Sequence, residues 1–247
     1  MELREVQSCL RATIESRSTK VGPFLVLLSS ATDNPFSNYA VPLDGAAPTG
    51  DDVTALIGFF TDRKRLPRLE YVRPAPAVDA ALAAAGFDVA GTLTLMAIEH
   101  EPAPPPDAAG YEVRLVTSEP ELRQAVAVQN TAYGEPDTEA NPDFMVRNVA
   151  DGGAVALAVE TATGAPAGAG AYTPAQGGLV EIAGVGVTPE HRRHGVGALV
   201  TWTLSAEASR LGHQPFLQVE KADPLRVYQR IGYRVIGDMA DARRVLL

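Results

Sequence analysis

The stretch Glu181-Ile182-Ala183-Gly184-Val185-Gly186-Val187-Thr188-Pro189-Glu190-His191-Arg192-Arg193-His194-Gly195-Val196-Gly197-Ala198 decides how this chain is read. Its first half is apolar and stops at Thr188-Pro189, which predicts a strand closed by a turn. Beyond it Val196, Val200, Leu204, Ala208 and Leu211 recur at helical spacing, with Gly212 as a stop signal. A strand that feeds a glycine-bearing loop at a helix N-terminus is suited to phosphate. The first amides of a helix have no partner inside it, and the helix dipole adds partial positive charge there. Gly195 and Gly197 let the backbone approach an anion without a Cβ, and Arg192 and Arg193 supply guanidinium groups. An ordinary helix start with a basic first turn would show the same short pattern. Dinucleotide and P-loop readings fit badly, because the chain has neither Gly-x-Gly-x-x-Gly nor Gly-Lys-Ser/Thr here.

Within the strand, Leu179, Glu181, Ala183, Val185 and Val187 alternate with Val180, Ile182, Gly184 and Gly186. Glu181 is the sole charge in this apolar run, an expensive position unless it is exposed or functional. The two glycines signal a bulge or the close approach of another group.

Arg192, Gly195 and Gly197 stand at the three defining places of the pattern Arg/Gln-x-x-Gly-x-Gly/Ala, and Val185 to Glu190 resembles the strand and turn that precede it. Downstream, Tyr228-Gln229-Arg230-Ile231-Gly232-Tyr233 resembles a Tyr-x-x-x-Gly-Phe signature. In this order and at this separation, the residues resemble the GNAT (general control N-acetyltransferase-related) superfamily from about Tyr111 to Leu247. The resemblance implies an α/β (α+β) GNAT acyl-CoA N-acyltransferase fold, a mixed and mostly antiparallel sheet flanked by helices. It implies acetyl-CoA as cosubstrate. Arg192, Arg193, His194, Gly195, Val196, Gly197 and Ala198 would hold its pyrophosphate. Main-chain groups around Val185, Gly186 and Val187 would meet the pantetheine arm and polarise the thioester oxygen; a structural bulge with no ligand is the alternative.

Glu181 occupies the place of the general base of some family members, six residues before Val187. In many others a polar residue there only binds substrate or water, or faces solvent, and Glu220 is the reserve base. Tyr228 stands at the family's general acid, where a phenol can protonate a thiolate; a packing tyrosine is the alternative. Many relatives carry an asparagine shortly before this tyrosine, whereas this chain has Lys221-Ala222-Asp223-Pro224, which leaves Lys221 as the replacement contact. His191 and His194 read as solvent-facing neighbours of the pyrophosphate. With His100 and His213 they form no metal-ligand spacing, so no metal is expected.

The 247 residues are 46% hydrophobic and 21% charged, enough for a sizeable buried core. A formal charge of −9 argues against nucleic-acid binding and mildly favours a cationic substrate. Cys9 is the single cysteine, so an internal disulfide is not expected, and its distance in sequence from the glycine loop, in the half of the chain without such a loop, argues against an acyl-cysteine intermediate. Charges at Glu2, Arg4, Glu5 and Arg11 interrupt any signal-peptide core, and Phe24 to Leu28 is too short to span a bilayer, so a cytoplasmic protein without membrane contact is expected.

The first hundred residues echo the second half. Leu3, Val6, Leu10 and Ile14 share a helical face, Phe24 to Leu28 and Arg68 to Val72 read as strands, and Asp51 or Asp52 caps a helix with the stripe Val53, Leu56, Ile57 and Phe60. A strand, a helix and Gly86-Phe87 parallel the later strand, helix and Gly232-Tyr233. Any α/β protein yields some echoes of this kind. We read 1–100 as a smaller, degenerate GNAT-like lobe, 101–109 as a proline-rich linker and 110–247 as the catalytic domain. Where the second lobe has its basic loop, the first has Asp44-Gly45-Ala46-Ala47-Pro48, which repels pyrophosphate; that lobe would serve as an acceptor wall or a scaffold.

The functional expectation is N-acetyl transfer to a primary amine of a small molecule or peptide. A catalytically silent acyl-CoA-binding protein is the alternative. The oligomeric state stays open, with a homodimer among the options. Calorimetric titration of the full chain is expected to give one CoA per chain; two sites would contradict the contrast between the lobes.

Overall fold

The computed structural model describes residues 1–30, 32–98, 107–135, 138–220 and 222–244. The chain forms two compact units, Met1–Leu95 with Ile236–Leu247, and Met96–Val235.

The first unit opens with α1 (Leu3–Glu15), started by a capping box between Glu2 and Glu5, and buries Val6, Leu10 and Ile14. The strands β1 (Thr19–Val21), β2 (Phe24–Leu28) and β3 (Asn38–Pro42) pair antiparallel in order. The helix α2 (Gly50–Thr61) then carries the chain to β4 (Arg68–Val72), parallel to β3, and α3 (Pro76–Ala84) leads to β5 (Thr92–Ala97). Val53, Leu56 and Phe60 are the buried stripe of α2, packed with Phe24, Val26 and Leu69.

The cap of α2 is Thr49 rather than Asp51 or Asp52. Thr49 Oγ1 accepts from the Asp52 amide at 3.2 Å, and the Asp52 carboxylate accepts from the Thr49 amide at 2.9 Å. The Thr49 hydroxyl, donating to that carboxylate at 2.6 Å, and then the Thr49 amide hold the Asp52 carboxyl below its usual range. The N-terminus of α2 is thus already supplied with its own carboxylate.

The second unit runs β6 (Tyr111–Val116), α4 (Glu119–Tyr133), α5 (Asp143–Ala150), β7 (Ala154–Glu160), β8 (Pro166–Tyr172) and β9 (Leu179–Val187). It continues through α6 (Val196–Arg210), β10 (Gln214–Val219), α7 (Ala222–Arg230) and the first residues of β11 (Arg234–Arg243). The strands β6 to β9 pair antiparallel in order, and β10 lies parallel to β9 across α6. This repeats the arrangement of β1, β2, β3, α2 and β4.

Val196, Val200, Leu204 and Ala208 are buried on one face of α6, each large side chain contributing about 1.5–3 kcal/mol. Gly168 and Gly170 of β8 let α6 approach, since a Cβ at Gly168 would stand 2.6 Å from Val196. Leu211, expected in the stripe, caps the helix end and is 46% exposed; Gly212, at φ 81°, makes the stop. On the opposite face of the sheet, Leu122, Ala125 and Val128 of α4 pack with Leu157 and Ala169.

The expected boundary at residues 101–109 differs from the compact units at the C-terminus. A single strand, β11, replaces the two expected around Tyr233–Val235 and Arg243–Leu246, and it pairs antiparallel with β4 from Met239↔Val72 to Arg243↔Arg68. Ala240 and Ala242 join the first unit's core. In the second unit, the Ile98 amide donates to the Pro215 carbonyl at 3.2 Å, so the residues after β5 lie along β10. Each unit is completed by residues distant in sequence. Glu101 to Pro106 of the expected linker, His100 and residues 245–247 lie outside the described residues.

Arg68 fixes β11 on β4. Its fully buried guanidinium donates to Asp241 at 2.8 Å and to Glu70, and it lies 4.5 Å from the Phe36 ring. Burial raises the Glu70 carboxyl, opposed by Arg68. Arg68→Met leaves the carboxylates Glu70 and Asp241 in the interior and is expected to cost about 3 kcal/mol, read as a lower midpoint in urea unfolding.

Candidate active site

The strands β9 and β10 stay in register only from Gln214↔Leu179 to Leu217↔Ile182. Beyond that point β9 continues for Ala183 to Val187 without a registered partner on β10. On its other side β9 is bulged. Its register with β8 shifts between Ala169↔Gly186 and Ala171↔Ala183, and Gly184 has φ 62°.

The bulge reverses the alternation expected from sequence. Val180 and Ile182 belong to the core beneath α6, so Glu181 faces the other side, toward α4. After the bulge Val185 and Val187 pack on the α6 core, while Gly186 faces α4. Glu181 and the two valines therefore lie on opposite faces, not the same one.

The glycines of β9 make room for α4 rather than for pantetheine. A Cβ on Gly184 would strike the Gln129 side chain, and one on Gly186 would stand 2.8 Å from the Ala132 Cβ. The carbonyls of this bulged end are covered by side chains. Gln129 Nε2 donates to Gly184 at 2.7 Å, the Tyr133 hydroxyl to Val185 at 3.2 Å and Arg192 Nε to Val187 at 3.2 Å. Gln129 and Tyr133 were not singled out in the sequence. The glycines announced a close neighbour, but nothing local says which helix supplies it.

In the loop, Arg192 also donates to the Ala132 carbonyl at 3.0 Å. Its exposed guanidinium ties β9 to α4 in this structure. Arg193 takes φ 68° and Gly195 φ 80°, and the loop turns back into α6. Among the described residues, the amides of Arg193 to Ala198 bond no acceptor, while Leu199 closes the first helical bond on Gly195 at 3.0 Å. Exposed Arg193 and His194 stand beside these amides. Fixed N–H groups at a helix start, next to a guanidinium, fit a pyrophosphate.

Gly195 is required by the protein's own packing, whereas Gly197 has room for a side-chain methyl. A Cβ on Gly195 would stand 2.7 Å from the Asp107 carbonyl oxygen, and one on Gly197 would stand 3.4 Å from Val187. His191 Nδ1 lies 3.0 Å from the Tyr111 hydroxyl, and the His194 ring lies 6.0 Å from that of Tyr111. Both imidazoles therefore brace β6 against the loop, and His191 is not solvent-facing as expected.

Tyr228 on α7 packs against the core, its ring 6.2 Å from that of Tyr233, whose hydroxyl bonds Ser205 at 2.7 Å. Among the described residues the Tyr228 hydroxyl has no hydrogen-bond partner, and burial raises its pKa. The Tyr133 phenol is pushed up to about 12, first by burial of its hydroxyl end and then by Tyr228. Both phenols stay protonated across neutral pH. Glu181 is half-buried, with Oε1 accepting from Gln218 Nε2 of β10 at 2.7 Å and its amide donating to Thr173 at 3.0 Å. Glu220 is exposed at the end of β10, and Lys221 lies outside the described residues.

A splayed parallel pair, a bulged strand and an open set of amides at the following helix define a GNAT-fold protein. Residues 169–244 match the family model of FR47-like proteins. The chain is similar to a GCN5-related N-acetyltransferase from Kribbella flavida, with 25% identity and a TM-score of 0.78 over 99% of this chain and 96% of that one. It also resembles a GCN5-related N-acetyltransferase from Sphaerobacter thermophilus, at 16% identity and TM-score 0.67 over 98% and 90% of the two chains. A tandem GNAT protein from the clavulanic acid biosynthesis pathway matches at 18% identity and TM-score 0.62 over 83% and 74%. No curated protein matches significantly. The chain thus has the GNAT fold, with the family match confined to its second unit, and the first unit is the smaller and lacks the basic loop.

Gly197→Ala is expected to keep both fold and CoA affinity, because its Cβ meets Val187 at ordinary contact distance. Gly195→Ala, strained at φ 80° and driven into Asp107, is expected to lower the melting temperature and CoA affinity together. Thermal melting and calorimetry of the two variants check this.

Proposed function

We propose that the second unit transfers an acetyl group from acetyl-CoA to a primary amine of a small molecule or peptide by direct attack. The observation that carries this reading is the run of unbonded amides from Arg193 to Ala198, set beside the unpaired end of β9. Those amides and Arg193 hold the pyrophosphate, while Arg192 keeps the loop in place. The cosubstrate supplies an activated thioester carbonyl and a thiol leaving group. Main-chain groups of Val185, Gly186 and Val187 face the split and supply the donor for the thioester oxygen.

An alkylammonium must lose a proton before attack, since its pKa is about 10.4. Glu181, the carboxylate on the α4 face of β9, takes that proton directly or through water, with Gln218 holding its orientation. Tyr228 is the proton donor to the departing thiolate; its hydroxyl is uncommitted and its raised pKa keeps the proton on the phenol. Because burial raises that pKa, the phenol keeps its proton to higher pH than a free tyrosine does. The formal charge of −9 agrees with a cationic acceptor.

Among the described residues no helix is long and apolar enough to cross a membrane. The reaction is tested by thiol release from acetyl-CoA across a panel of amines. CoA binding without release for any amine would instead indicate a silent acyl-CoA-binding protein. Tyr228→Phe is expected to lower kcat by about 10²-fold with little change in acetyl-CoA affinity. In wild type, loss of kcat from phenol ionisation should set in at higher pH than the titration of a free tyrosine. An unchanged rate in the phenylalanine variant removes Tyr228 from proton transfer.

A further inference from the structure

The first unit gathers cations where α1, β2 and α2 end. Arg17 follows α1, Ser29 follows β2, and Arg63 and Arg65 follow α2. All four line one cavity of about 360 Å³, with Leu28 and Phe59 as apolar walls. Among the described residues that line it there is no carboxylate. The charged ends, and not only the stems, stand among the lining residues. The Arg63 guanidinium carbon lies 3.8 Å from the centre of the Phe59 ring, and Arg65 Nη2 donates to the Ser29 carbonyl at 3.2 Å. A tight turn brings the two arginines together. The Arg65 amide donates back to the Phe60 carbonyl at 2.9 Å, with Lys64 in the left-handed region at φ 55°, where glycine is the unstrained residue.

Helix ends by themselves attract arginines, and Arg17 Nη2 and Arg63 Nη1 each donate to a carbonyl of the helix before them, Thr13 at 3.3 Å and Phe59 at 3.0 Å. That role accounts for one donor of Arg63. Its Nε and Nη2 have no hydrogen-bond partner among the described residues. Arg65 lies off the helix, held by the Ser29 carbonyl and by Asn38 Oδ1 at 3.3 Å. Every partner of Arg63 and Arg65 among the described residues is thus neutral. The acids nearest in sequence, Glu15, Asp33 and Asp62, are exposed, and none forms an ion pair with either arginine. Like charges held around one cavity repel, and an anion of more than one charge relieves that repulsion.

We infer that this cavity in the first unit binds a small phosphomonoester, its phosphate held by Arg63 and Arg65 with exposed Arg17 beside them, and its carbon body against Leu28 and Phe59. A phosphomonoester brings nearly two negative charges at neutral pH and three terminal oxygens, which suit planar guanidinium forks; a carboxylate brings a single charge. At the ~30 Å³ that a water molecule occupies, the volume holds about twelve non-hydrogen atoms, the size of phenyl phosphate. The site differs in kind from the CoA loop. It lies past the C-terminal end of α2 rather than at a helix start, and it is built from side-chain cations rather than from main-chain amides.

The test is calorimetric titration of the full chain with phenyl phosphate in the presence of saturating CoA, so that the loop before α6 is filled. One saturable site is expected, with benzoate and phenol each at least about tenfold weaker for want of the second charge or of any charge. Arg63→Gln, at an exposed position, should weaken phenyl phosphate at least about tenfold while the variant still melts cooperatively and keeps wild-type CoA affinity. Arg17→Gln gives a loss by a second route and serves if Arg63→Gln fails to fold. Absence of saturable binding, binding only when CoA is left out, equal affinity for benzoate or phenol, or undiminished binding in the folded variants each overturns the inference. Because CoA binding is read separately, failure here leaves the proposed transferase reaction standing.

Discussion

The structure of the second unit depends on β9 leaving its parallel partner after Ile182↔Leu217 while remaining hydrogen-bonded to β8. A strand that loses one neighbour must find other partners for its polar groups. The bulge at Gly184 solves part of this by turning the strand, and side chains from α4 and the loop cover the exposed carbonyls. The same bulge sets Glu181 on one face and Val185 and Val187 on the other. A carboxylate and two apolar side chains thereby stand on different sides of the same strand.

The loop before α6 is held by protein contacts throughout. Arg192 ties it to Val187 and Ala132, His191 and His194 brace it on Tyr111, and Gly195 lets it pass Asp107. Its amides pay no penalty of reorganisation when an anion arrives, because they are already aimed and unbonded. The corresponding helix of the first unit has the opposite solution. Thr49 and Asp52 satisfy each other, and an anion meets a carboxylate there. The two helix starts thus differ in whether their first amides and side chains satisfy one another.

Long-range pairing decides which residues belong together. Arg68 and Asp241 are 173 positions apart, yet their buried bond seats β11 on β4. Buried ion pairs are weak sources of net stability but expensive to break, so their main effect is to penalise other registers. Ala240 and Ala242 complete an apolar core that the first ninety-five residues alone leave open.

Local sequence determined much of this protein. The strand before Thr188, the helix from Val196, its stop at Gly212, the strands Phe24–Leu28 and Arg68–Val72, and the anion-suited loop are properties of neighbouring residues, and periodicity and turn chemistry report them. The bulge was signalled by Gly184 and Gly186. Tertiary structure alone decided the rest. It assigned the space beside those glycines to Gln129 and Ala132, tied Arg192 to Val187 and Ala132, brought Tyr133 to Val185 and sent the last strand to the first unit. The reason is physical: a residue's periodicity records that it will be buried or turned, whereas its partner is chosen by packing between segments that are far apart in the chain.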